Sequence, residues 1–120
     1  MQGTEKYVIF ATFIINSKRE DDGNYIFDYK KSNFDDSDSF TLWYNELRQR
    51  SLYLPTVSVT NEDSFLTLVT DSVEFKGAKL VVMARKIKPD ETIDVSNTVI
   101  NKKPRYPSIY YTIKEIKNPF

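Results

Sequence analysis

The chain has 120 residues, 40% of them hydrophobic and 28% charged, with 17 basic side chains against 17 acidic ones. It contains neither cysteine nor histidine, which excludes disulfides, Cys/His zinc sites, thiolate nucleophiles and the usual serine–histidine pair. The length suits one domain, 1–120, with one modest core. No apolar run approaches the roughly 18 residues that span a bilayer, and the polar start Met1–Lys6 has no apolar signal segment, so an intracellular protein without a membrane partner is expected.

In chain order, residues 5–18 (EKYVIFATFIINSK) come first, rich in β-branched and aromatic residues. Both alternating sets, Tyr7/Ile9/Ala11/Phe13/Ile15 and Val8/Phe10/Thr12/Ile14, are largely apolar, which predicts a long strand buried on two sides or curling in a closed sheet. Asp22-Gly23 signals a turn into residues 25–31 (YIFDYKK), where Tyr25, Phe27 and Tyr29 share one face. The two segments are expected to pair as a hairpin. After a polar loop (32–39), Phe40, Trp43, Tyr44 and Leu47 follow helical spacing. Ser37 or Ser39 is the expected cap of that helix, with Asp38 at its positive end, Arg48 and Arg50 at the other, and Pro55 as a stop. Residues 56–60, 64–70, 73–75, 78–88 and 108–116 read as strands, and 89–107 as a long, partly extended loop or irregular hairpin. Five or six strands with one helix predict a mainly β, α+β domain: a small antiparallel barrel plugged by the helix.

The charges are segregated. Residues 1–74 carry seven Lys/Arg against thirteen Asp/Glu, and residues 75–120 carry ten against four. Such asymmetry suits an anionic partner. The acidic clusters Glu20–Asp22 and Asp35/Asp36/Asp38 fall in predicted turns, where Asp serves its own backbone. They lack the glycine and distal glutamate of a calcium loop, so no metal and no cofactor is expected. Three glycines are too few for a phosphate-binding loop, and no catalytic set assembles, so the expectation is a protein that is not an enzyme.

Rings and cations interleave instead. Tyr25 and Tyr29 stand next to Lys30 and Lys31. Lys76, Lys79, Arg85, Lys86 and Lys88 run without an acidic interruption. Lys102, Lys103, Arg105 and Lys114 follow, among Tyr106, Tyr110 and Tyr111. Cations neutralise phosphates, and rings stack on bases at about 1–3 kcal/mol each, so this set predicts a surface for a single-stranded nucleic acid.

The long first segment KYVIFATFIIN, the aromatic YIFDYKK and the basic later segments resemble a small phage-type OB-fold single-stranded DNA-binding protein. That resemblance implies a five-stranded barrel and sequence-independent single-stranded DNA binding in phage or bacterial replication or recombination. It also implies a homo-oligomer (dimer or tetramer) in the bacterial host cytoplasm. The terminal Pro119-Phe120 matches the family's Pro-Phe tip, which implies docking onto replication or recombination proteins. The alternative is a small phage-encoded protein-interaction module or inhibitor of a host protein. Its acidic loops would then imitate a nucleic acid.

Overall fold

The computed structural model describes residues 5–31 and 33–120. In chain order the elements are β1 (Tyr7–Asn16), a short 3-10 helix (Arg19–Asp22), α1 (Ser37–Arg50), β2 (Tyr53–Leu54), β3 (Phe65–Asp71), β4 (Ala78–Lys86), β5 (Val99–Ile100) and α2 (Ser108–Lys114). The fold is thus α+β, with antiparallel sheets and two α-helices. The main sheet is antiparallel in the order β1–β4–β3, and β2 pairs with β5 in a separate two-residue ladder. Among the described residues the main sheet is open, so the expected closed barrel does not form.

One irregularity sets the chemistry of β1. Ile9 pairs with Ala84 and Ala11 with Met83, leaving Phe10 as an extra residue, a β-bulge. The bulge reverses the side-chain alternation. Val8 before it and Phe13 and Ile15 after it therefore share one face, over Val81 and Met83 of β4. This explains why both alternating sets of the segment are apolar: the pattern changes phase part-way.

That face is sealed by α1, which presents Phe40, Trp43 and Leu47. Phe27 joins them, stacked on Trp43 with ring centroids 6.2 Å apart and edge-on to Phe13 at 5.8 Å. Each such side chain contributes about 1.5–3 kcal/mol on burial. The helix begins at Asp36, whose carboxylate accepts the backbone N–H of Ser39 at 2.8 Å; the cap is this aspartate, not either predicted serine. The helix ends at Arg50, four residues earlier than Pro55 suggested. Ser51 turns the chain there, and the Leu52 N–H donates to the Thr12 carbonyl on the outer edge of β1.

The opposite face is only partly covered. Tyr106, Ile109 and Tyr110 lie over Ile14, Phe75, Ala78 and Leu80. Beyond them Ile9, Leu66 and Leu68 stand 55%, 44% and 60% exposed.

Four predicted strands take other forms, one of them residues 73–75, which bend into the turn before β4. Residues 25–31 form no strand, so the predicted hairpin is absent: β1 pairs with β4, and the rings of Phe27 and Tyr29 are drawn against Phe13. The Asn16 side-chain amide fixes the segment by donating to the carbonyls of Lys18 and Tyr25. Residues 56–60 are an extended loop that buries Val57, and residues 108–114 are helix α2, not a strand.

Candidate functional site

The predicted cations do not gather on one surface. Arg85 is 1% exposed; its guanidinium binds Glu91 at 2.9 and 2.6 Å, donates to the Ser58 carbonyl at 2.6 Å, and lies 3.9 Å from Asp63. A buried, doubly paired guanidinium cannot reach a phosphate, so Arg85 leaves the predicted set. The same hydrogen bonds, reinforced by the Lys88 N–H, hold the Glu91 carboxyl down at about 2. Lys79 pairs with Asp71, Lys86 with Glu5 at 3.0 Å, and Lys88 with Asp63 at 3.8 Å. Arg105 donates to the Gln49 side chain at 3.2 Å. Lys30, Lys31, Lys76, Lys102, Lys103 and Lys114 make no ion pair among the described residues, but they sit on separate loops and on α2.

The rings are largely engaged with one another. Tyr106 stacks on Tyr110 at 3.9 Å, and Tyr111 meets both edge-on at 6.3 and 5.3 Å. Tyr111 is 6% exposed and its hydroxyl holds the Pro104 carbonyl and the Tyr106 N–H, so it too leaves the predicted stacking set. Burial, and then the neighbouring Tyr110 and Glu74, push the Tyr106 phenol up to about 12. Lys114 lies over Tyr110 at 5.6 Å, so three predicted rings and a predicted cation meet here as a group. Tyr25 is 40% exposed, but its hydroxyl is held by both oxygens of Glu46 at 3.0 Å, an anion where a phosphate would have to come. Burial, with Glu46 next, raises this phenol above its ordinary value. Tyr29 lies half-buried against Phe13, with Lys30 over its outer face at 5.6 Å. Pro119 and Phe120 are exposed beyond α2.

The acidic clusters have structural duties. Asp36 caps α1. Asp22 pairs with the buried Arg50 at 3.5 Å and accepts the Ser108 N–H at 3.0 Å, tying α2 to the 3-10 helix. Among the described residues no group of three or more carboxylates is placed to hold a metal ion.

A large concavity lies elsewhere, along the outer edge of β1. It has a volume of about 620 Å³. Its floor is Tyr7–Thr12, and its walls are Tyr53, Pro55, Ile87, Ile93, Val95 and Thr98, with no charged side chain among them. Its backbone is as telling as its walls. The Lys6 carbonyl accepts from Ile87, so Lys6 and, by alternation, Val8 turn their main-chain groups toward β4. Tyr7 and Ile9 turn theirs outward into the groove. Among the described residues, backbone pairing on this edge reaches Thr12, through Ser51 and Leu52, and goes no further toward Tyr7. Sequence reasoning missed this site because its walls come from segments read in three different ways: Tyr53 and Pro55 as the end of the helix, Ile87 as strand, and Ile93, Val95 and Thr98 as loop. The signal was there in Ile93 and Val95, apolar residues at alternate positions in the otherwise polar stretch 90–97 (DETIDVSN).

No family model and no curated protein matches the sequence. Among solved structures, the fold is similar to sortase B from B. anthracis, crystallised in complex with AAEK2. The TM-score is 0.50 at 22% identity, over 72% of this chain and 35% of that one; the chain spans about a third of that protein's length. This likeness and the open sheet overturn the resemblance to an OB-fold single-stranded DNA-binding protein. The expectation that the chain is not an enzyme is also withdrawn, since the fold neighbour is an enzyme. The likeness extends to the fold alone: with no cysteine and no histidine, this chain brings neither thiol nor imidazole chemistry of its own. No helix is long and apolar enough to cross a membrane among the described residues.

Proposed function

We propose that the protein is an interaction module that takes an extended, predominantly apolar segment of a protein partner into the groove along β1. The observation that carries this reading is the outward-turned backbone of Tyr7 and Ile9 at the floor of an uncharged cavity. A strand laid there gains main-chain hydrogen bonds for affinity, and alternate side chains find Tyr53, Ile93 and Val95 for specificity. Of the two readings of the sequence, protein interaction is favoured over single-stranded DNA binding, because all four cations of residues 79–88 already have carboxylate partners and Tyr106 and Tyr110 stack on each other.

The test is fluorescence polarisation with a labelled peptide of alternating valine and threonine, beside a labelled unstructured oligonucleotide. The peptide is expected to bind. Ile9→Lys, which puts a charge on the groove floor, should weaken it at least about tenfold, whereas Leu42→Lys on the exposed side of α1 should not. A peptide N-methylated at alternate residues should lose binding when the methyls occupy the pairing positions. Salt-sensitive binding of the oligonucleotide with none of the peptide would overturn the proposal in favour of the nucleic-acid reading.

A further inference from the structure

A second strand edge stands open on the far side of the sheet, and it goes beyond the β1 groove. β3 is the terminal strand of the order β1–β4–β3. Natural edge strands are usually blunted by lysine, proline, a bulge or a covering loop. Residues 65–70 (FLTLVT) carry no charge and no proline, their register to β4 is unbroken, and no described residue pairs with their outer side.

The direction of the main-chain groups follows from the ends of the ladder. The Ser64 carbonyl accepts from Lys86, and the Ser72 N–H donates to Ala78, so the even-numbered residues turn toward β4. Phe65, Thr67, Val69 and Asp71 therefore turn their N–H and C=O outward. These four positions are symmetric about Leu68. A second antiparallel copy of the same strand, related by a twofold axis at Leu68, satisfies them all: Thr67 against Val69, Val69 against Thr67, and each Phe65 against the other copy's Asp71. The one charged residue, Asp71, is already paired with Lys79 in its own chain, and the twofold sets the two aspartates at opposite ends of the ladder.

The side chains suit the same arrangement. Leu68 falls at a non-hydrogen-bonded pair, where opposing Cα atoms come within about 4.5 Å. Leu68, 60% exposed on the uncovered face, would then lie beside its symmetry mate, and Leu66, 44% exposed on the same face, would stand opposite the other copy's Thr70 and diagonal to its Leu68. An uncharged, symmetric edge makes no demand for a charged partner and accepts its own copy without opposing like charges.

The geometry points to a homodimer formed by antiparallel pairing of β3 with β3, joining the two sheets into one of six strands. This does not depend on the β1 groove, and the two ideas fail separately, since one is read by peptide binding and the other by mass.

Sedimentation velocity over a concentration series should show the 14.1 kDa chain giving way to a species of twice that mass. Leu68→Lys places two ammonium groups face to face and should weaken dimerisation at least about tenfold, as should Leu68→Glu. An equimolar mixture of the two variants should recover the doubled mass, because lysine then faces glutamate. Circular dichroism confirms that each variant is folded; Leu68 is exposed, so neither change disturbs the core. Wild-type protein at monomer mass throughout, a Leu68→Lys variant that dimerises like wild type, or a mixture no better than its components each overturns the proposal. Masses rising beyond twice the chain would also overturn it, by showing an open head-to-tail contact.

Discussion

The two faces of the main sheet are made from neighbouring residues of the same three strands, yet they differ in kind. The face under α1 is filled by interlocking rings: Phe10, Phe13, Phe27, Phe40 and Trp43 are each less than a tenth exposed. The other face is covered at one end by Tyr106, Ile109 and Tyr110, and leaves Ile9, Leu66 and Leu68 in solvent. The contrast separates two tasks. Apolar area that a chain can cover by itself supplies stability, while apolar area left at an open edge is available to another molecule.

The sharpest way to break this comparison is to remove a ring from the sealed face. Phe13→Ala deletes a side chain that is 0% exposed and touches both Phe27 and Tyr29. It should cost about 3–5 kcal/mol in denaturant unfolding. A loss no greater than that of an exposed-face substitution would mean that the two faces do not differ as described.

How much of this was legible beforehand can be followed residue by residue. α1, β3 and β4 were readable because each is specified locally: Phe40, Trp43, Tyr44 and Leu47 by helical spacing, and the β3–β4 pair by alternation around Gly77, whose positive φ of 87° makes the turn. Residues 25–31 failed because their alternation is equally well satisfied by burying Phe27 against Trp43 without any strand partner. Residues 108–114 failed because a short helix, capped by Pro107, buries Tyr111 and lays Tyr110 on Tyr106, whereas Ile113 and Ile116, which suggested a strand face, are left in solvent. The basic surface was visible as composition, but its neutralisation was not. Glu5 reaches Lys86 across 81 positions, a pairing that exists only after β1 and β4 have docked.

Smaller effects sharpen the comparison. Ser51 is 0% exposed at the seam where the chain leaves α1; its hydroxyl accepts the Thr12 N–H at 3.2 Å and donates to the Tyr53 carbonyl at 2.6 Å. Ser51→Ala should cost about 1–3 kcal/mol, measured by the same unfolding titration, because it strands a buried donor and acceptor.

Glu91 carries a pH signature. Its carboxyl is held at about 2 in the folded chain, below its ordinary value of 4.5. Folding therefore favours the carboxylate, and the stabilisation is fully present above the ordinary value and lost as pH falls toward the folded one. Thermal unfolding of the wild type should fall more steeply across that acid window than that of Glu91→Gln; parallel profiles would show that Arg85 gains nothing from this partner. The smallest effect belongs to the open face. Leu66→Thr, measured at dilutions where copies are separate, should change stability by no more than about 0.5 kcal/mol.

The bulge at Phe10 has a consequence for how this chain tolerates change. Because the extra residue shifts the phase of everything after it, β1 behaves like a coded message with a deliberate one-letter offset. Losing Phe10 by deletion would cancel that offset. Ile9 would be followed directly by Ala11, the ladder would run without interruption, and Phe13 and Ile15 would keep both their face and their partners on β4. The strand can forgive an omission at this point, losing one buried ring; an added residue further along has no such slack and would rewrite the half that follows.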